Sequence, residues 1–109
     1  HRIAGPLFRF EKALNNMING NLSDTIYLRT KDEGKDLAIK INEFNEKLSG
    51  KIQQIDKHST IISDLLSHQN LETISNMDKE ELAHTIDVIR RNNQTIKEVT
   101  SSFTLANDK

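Results

Sequence analysis

No cysteine occurs anywhere in the chain, so disulfides, thiol nucleophiles and thiolate metal sites are excluded, and the composition suits a reducing compartment. Tryptophan is absent as well, and aromatic residues make up only 5% of the 109 positions against 35% for apolar residues as a whole. That is thin for a compact globule. It suits long helices that bury a narrow stripe, and it gives such a chain reason to complete its core with a partner copy. Charge of one sign is also lacking: 15 basic against 16 acidic side chains leave a net charge of −1, which argues against a nucleic-acid footprint. No apolar run approaches the roughly 20 residues of a membrane span, and no signal peptide is visible. The first residue is His rather than Met, so a fragment with something upstream is expected.

What is present is helical period. Ile3, Leu7, Phe10, Leu14 and Met17 recur at spacings of 4, 3, 4 and 3, a heptad stripe that predicts a helix over residues 1–19. Pro6 marks either the start of that helix or a bend where an upstream helix enters. Asn19-Gly20 supplies the stop, because Gly takes a left-handed cap without strain.

Residues 20–32 read as a connector. The stretch Gly20-Asn21-Leu22-Ser23-Asp24-Thr25-Ile26 is polar, yet it carries two aliphatic residues four apart. A merely solvated loop has no use for them, so Leu22 and Ile26 are expected to pin the connector along a helical bundle. Thirteen extended residues at about 3.3 Å each reach back along a five-turn helix of about 27 Å. The helices on either side can therefore run parallel.

A second, longer helix is predicted over 33–69, with Asp32 as N-cap and Glu33 and Asp36 well placed in its first turn. Leu37, Ile41, Phe44 and Leu48 continue the stripe at 4, 3 and 4. Beyond Leu48 it passes through Ile52, Ile55 and Ile62 with an extra four-residue step, a stutter that locally unwinds a supercoil. Gly50 falls there, at the softest part of the helix. After a break over 70–77, Asp78-Lys79-Glu80-Glu81 reads as a capping box opening a third helix over 78–105. Its stripe is Leu82, Ile86, Ile89, Asn93, Ile96, Thr100 and Phe103. This helix either continues the coil or folds back as a hairpin, and the break favours folding back. Asn93 either fixes the register of a coil or sits on a partly wet edge.

Residues 1–55 resemble the HAMP domain, the signal-relay module between a membrane span and the output domain of bacterial receptors, histidine kinases and cyclases. Gly20-x-Leu22-x-x-x-Ile26 is similar to that family's connector pattern, a Gly followed by two hydrophobic anchors. Asp32-Glu33 fits the acidic pair that opens its second helix, and Pro6 the proline near the start of its first. Leu37, Ile41, Phe44 and Leu48 fall where that helix buries its core. The opening His1-Arg2-Ile3-Ala4-Gly5-Pro6-Leu7 looks like the junction in membrane-anchored, chemoreceptor-like proteins. One departure is Gly34, where the family commonly has a hydrophobic residue, which implies a looser start to the second helix.

The resemblance implies an all-α fold: a parallel homodimeric four-helix coiled coil, followed over 56–109 by a helical extension. Ile3, Leu7, Phe10, Leu14, Met17, Leu37, Ile41, Phe44 and Leu48 would form the dimer core, and Leu22 and Ile26 would plug the gaps between helices. It also implies a place on the cytoplasmic side of a bacterial inner membrane, the fragment itself being soluble. The partners it implies are a second copy, an upstream transmembrane helix and a downstream signalling protein.

Chemistry is sparse. His58, His68 and His84, with the terminal His1, form no HExxH or i, i+4 pair and read as surface or stripe-edge residues. Leu66-Ser67-His68-Gln69-Asn70 lacks the Glu, Arg and Pro that follow a phosphorylatable histidine. Gly20 and Gly34 form no phosphate loop, and Arg90-Arg91 reads as a solvated face. The expectation is a non-enzymatic relay module without cofactor, metal or catalytic residues. The alternatives are a helical-hairpin adaptor whose 78–105 stripe docks a partner helix, and a degenerate histidine-kinase dimerisation region.

Overall fold

The computed structural model describes residues 4–29 and 33–108. Those residues are all-α, with no strand among them. The helices are α1 (Ala4–Ile18), α2 (Lys35–Ser67), α3 (Leu71–Ser75) and α4 (Lys79–Ser101), and a 3-10 turn covers Ala106–Asp108. The chain divides into two compact units, residues 1–50 and 51–109. Ile3, expected in the first stripe, and Asp32, expected as a cap, lie outside the described residues.

In the first unit, Pro6 is buried in the first turn of α1, where its missing N–H would have had no helical partner. The helix ends through Gly20, whose φ is +89°. Gly20 N–H donates to Met17 O (3.0 Å) and Asn21 N–H to Asn16 O (2.8 Å), the paired bonds of a Schellman cap that satisfy otherwise orphaned carbonyls. α2 takes its first bond from Ala38 N–H to Gly34 O (2.9 Å). Gly34 also has a positive φ, +81°, and a Cβ placed there would lie 2.9 Å from Phe10 Cε2. The looser start expected at Gly34 is thus a close-packed turn, with the Phe10 ring against the glycine.

These contacts set the direction of the elements. Phe10 puts the start of α2 beside the N-terminal half of α1, and the connector runs back between them, with Asp24 at Asn16 and Tyr27 at Arg9. α1 and α2 therefore run parallel. Their shared core is small: Phe10, Ala13, Ile26 and Ala38 are buried, and Leu28 and Ile41 pack against them.

In the second unit α4 folds back on the C-terminal half of α2. Lys51 Nζ donates to Ser102 Oγ (2.7 Å) and lies 4.6 Å from the centre of the Phe103 ring, while His58 pairs with Asn92 further along. Low numbers on α2 thus meet high numbers on α4, as in an antiparallel hairpin. The break holds a short helix of its own, α3. Asn70 Oδ1 accepts from Thr73 N–H and Thr73 Oγ1 accepts from Asn70 N–H, so the reciprocal capping box forms here. Asp78 caps α4, its carboxylate accepting from Glu81 N–H (2.8 Å).

Gly50 lies inside α2, where a Cβ would meet nothing within 4 Å. Gly50→Ala is expected to stabilise the helix by about 0.5–1 kcal/mol through helix propensity and a less flexible unfolded chain. Thermal unfolding followed by circular dichroism reads this as a raised midpoint. A lowered midpoint would show that the position serves a contact rather than a local softening.

Candidate functional site: the connector seat and the uncovered stripe

The connector has no regular secondary structure over 21–29, so its backbone polar groups need partners that no strand among the described residues supplies. The side chains around it provide several. Asn21 Oδ1 accepts from both Ser23 N–H (3.0 Å) and Ser23 Oγ (2.6 Å), a turn that starts the return run. Asn16 Nδ2 donates to the Asp24 carboxylate, and Arg9 Nη1 donates to Tyr27 O (3.1 Å). At the centre, one amide side chain holds both polar groups of one residue: Ile26 N–H donates to Asn42 Oδ1 (2.9 Å), and Asn42 Nδ2 donates to Ile26 O (3.0 Å).

Ile26 is buried and Leu22 half-buried. Leu28, two residues beyond Ile26, also packs against the core, while Tyr27 between them is exposed. Sequence reasoning missed Leu28, although its alternation with Ile26 is the period-two signal of an extended segment covered on one side. It also missed Asn42, whose part is hydrogen bonding rather than packing.

The predicted stripe residues divide in two. Phe10 is buried, and Met17, Ile41 and Leu48 are half-buried. Leu7, Leu14, Leu37 and Phe44 are between 44% and 59% exposed. On α2 the buried positions are Ala38 and Asn45, so the face turned toward α1 and the connector is rotated from the 37-41-44-48 line. Within one chain, part of the heptad stripe is therefore left uncovered. An apolar strip open to water along paired helices marks a contact surface more often than chance exposure does. Glu33, the described member of the acidic pair, is exposed at the turn into α2.

Asn45 is 3% exposed, and its Oδ1 has no hydrogen-bond partner among the described residues. A buried acceptor left unmatched costs on the order of 1–3 kcal/mol, so this packing of the first unit carries a penalty at Asn45.

The histidines are dispersed. His58 Nδ1 donates to Asn92 Oδ1 (2.7 Å), and Asn92 Nδ2 donates in turn to Val88 O (2.8 Å). Asn92, not Asn93, is thus the asparagine facing α2, and Asn93 is exposed on the adjacent edge. His68 Nδ1 donates to Asp64 O (2.6 Å) at the end of α2. Among the described residues no three or more His, Asp or Glu side chains converge as a metal site would require, and no helix is long and apolar enough to cross a membrane. No protein family, curated protein or solved structure matches the chain.

Proposed function

We propose that the chain is a non-enzymatic relay module of the HAMP type. Two copies pair in parallel, so that α1 and α2 of each contribute to one four-helix coiled coil. A change in helix packing then passes from an upstream transmembrane helix, at the cytoplasmic face of a bacterial inner membrane, to a downstream partner. The uncovered stripe carries this reading. Leu7 and Leu14 on α1 and Leu37 and Phe44 on α2 are large, exposed and set on two parallel helices. A copy related by a two-fold axis along those helices would cover all four.

Relay by repacking needs two arrangements of one core within a few kcal/mol of each other. The unmatched Asn45 Oδ1 supports that requirement, because its penalty keeps the observed packing from being deeply favoured.

Since the chain has no cysteine, single-cysteine variants give an unambiguous test. Leu7→Cys and Phe44→Cys, each oxidised as the full chain, should yield disulfide-linked dimers through identical positions. Exclusively monomeric product from both, or linkage only between the Leu7 and Phe44 positions in a doubly substituted chain, would sink parallel pairing.

A further inference from the structure

The hairpin of the second unit has one apolar and one polar face. Its internal contact is centred on His58 and Asn92, and residue directions follow at about 100° per residue. Ser59 and Leu66 on α2, and Leu82 and Asn93 on α4, then point about 80–100° round from that contact, with Ile52 and Ile86 near 120°. The rotation has the same sense on both helices. Because the helices are antiparallel, both sets turn to the same side of the hairpin. Within the second unit, five large apolar side chains stay exposed on these two helices: Ile52, Ile61, Leu66, Leu82 and Ile86. Four of them share this face, and Ile61 alone lies on the other, among Lys57, Asp64, His84, Arg91 and Glu98.

The face is also layered. Pairs on α2 and α4 at equal height sum to about the same number as His58 and Asn92, so Ile55 lies level with Ile96, Ile62 with Ile89, and Leu66 with Ile86. In their midst Ser59 lies level with Asn93, one polar layer between apolar ones.

We propose that this face is covered by the same face of a second copy, related by a two-fold axis along the helices. Two arguments select that occupant. The first is width and area. Two packed helices present a strip roughly 20 Å wide and 25–30 Å long, about 500–600 Å² per copy. Two such faces together clear the ~1,000 Å² expected of a specific interface, whereas a lone helix would cover only half the width. The second is the polar layer. A two-fold axis along the helices sets Ser59 and Asn93 against themselves and keeps apolar layers against apolar layers, as a single asparagine layer does when it fixes register in a coiled coil. An unrelated partner would need a polar group at that one height. This pairing is separate from the relay reading, since it concerns the second unit alone.

Sedimentation equilibrium of the full chain tests it. Leu66→Lys and Ile86→Lys should each raise the dimer dissociation constant about tenfold or more, with helicity retained. Ile61→Lys, on the polar face, should leave it within about twofold. Asn93→Leu, at an exposed position on which the hairpin's own fold does not depend, should tighten the dimer about tenfold by removing the polar layer's cost. Thr100→Cys, at one end of the face, should be joined copy to copy by a short bismaleimide, because the proposed axis brings that end against itself.

A monomeric wild-type chain at tens of micromolar would overturn the proposal and leave the face to another protein. So would equal weakening by Ile61→Lys and Ile86→Lys, an unchanged constant for Asn93→Leu, or no Thr100→Cys product from a chain that sediments as a dimer. Loss of the Leu7→Cys and Phe44→Cys links with these effects intact would count against the relay dimer only. The converse result would count against the hairpin dimer only.

Discussion

Gly34→Ala is expected to destabilise the first unit by about 2–4 kcal/mol, combining backbone strain with overpacking. The backbone share comes from φ, which at +81° is a region where an L-residue pays roughly 1–2 kcal/mol. The packing share comes from Phe10, whose Cε2 and Cζ would lie 2.9 and 3.0 Å from the new methyl group. The ring is only 7% exposed and has little room to withdraw. Gly20→Ala is the matched control, because Gly20 has a similar φ of +89° but open space around it. Only the backbone share should be lost there. The difference between the two midpoints in thermal unfolding isolates the contact with Phe10. Phe10→Leu removes the two clashing ring atoms, so in the Gly34→Ala background it should cost less than it does alone. Equal destabilisation by Gly34→Ala and Gly20→Ala would show that the glycine is required by its turn and not by its neighbour.

The all-α class was legible because 4-3 spacing persists through three separate segments, and because Gly20 and Asp78 are residues that end and begin helices for local reasons. What periodicity could not show is which side of an apolar stripe turns inward. The large residues define the 37-41-44-48 line. The face toward α1 instead uses Ala38, whose short side chain allows close approach, and Asn45, which a hydropathy pattern counts as surface. The same limit explains Asn92 and Asn93. Both sit beside an apolar line, and only the packing of α4 on α2 assigns the inward position to Asn92, as a partner for His58. Folding back was only favoured by the break over 70–77. The Asn70–Thr73 capping box that builds α3 inside it uses residues equally at home in an irregular loop.

The two units therefore share one economy. Each pairs helices through a narrow contact, leaves large apolar side chains open beside it, and places a polar group where an apolar one would pack more firmly. In the first unit that group is Asn45, and in the second it is the His58–Asn92 pair. Single-chain packing of this kind is marginal, since few apolar groups are fully buried. The total is then sensitive to individual hydrogen bonds.

Asn42 should accordingly show the largest effect of any polar substitution in the first unit. Its amide holds both Ile26 N–H and Ile26 O, and Ile26 is the connector's buried residue. Asn42→Leu keeps the bulk but leaves both backbone groups without a partner, at a cost of about 2–4 kcal/mol once their partial exposure is allowed for. Hydrogen exchange at the Ile26 amide should accelerate along with the fall in thermal midpoint. Asn42→Asp sharpens the assignment, because a carboxylate can accept from Ile26 N–H but faces the Ile26 carbonyl with no donor. Protonating it restores an O–H in the donor's place, so the folded state favours the neutral acid and raises that carboxyl's pKa above its unfolded value of about 3.9. The linkage then has a definite sign. Relative to wild type, the variant is closest to full stability below the unfolded pKa, and it loses stability as pH rises through the folded one. The comparison with wild type at each pH removes whatever the two chains have in common. An Asn42→Asp deficit that stays constant from pH 3 to pH 7 would show that the amide N–H₂ contributes nothing at this seat. An Asn42→Leu chain that unfolds at the wild-type midpoint would remove the hydrogen-bonded seat from the account of how the connector is held.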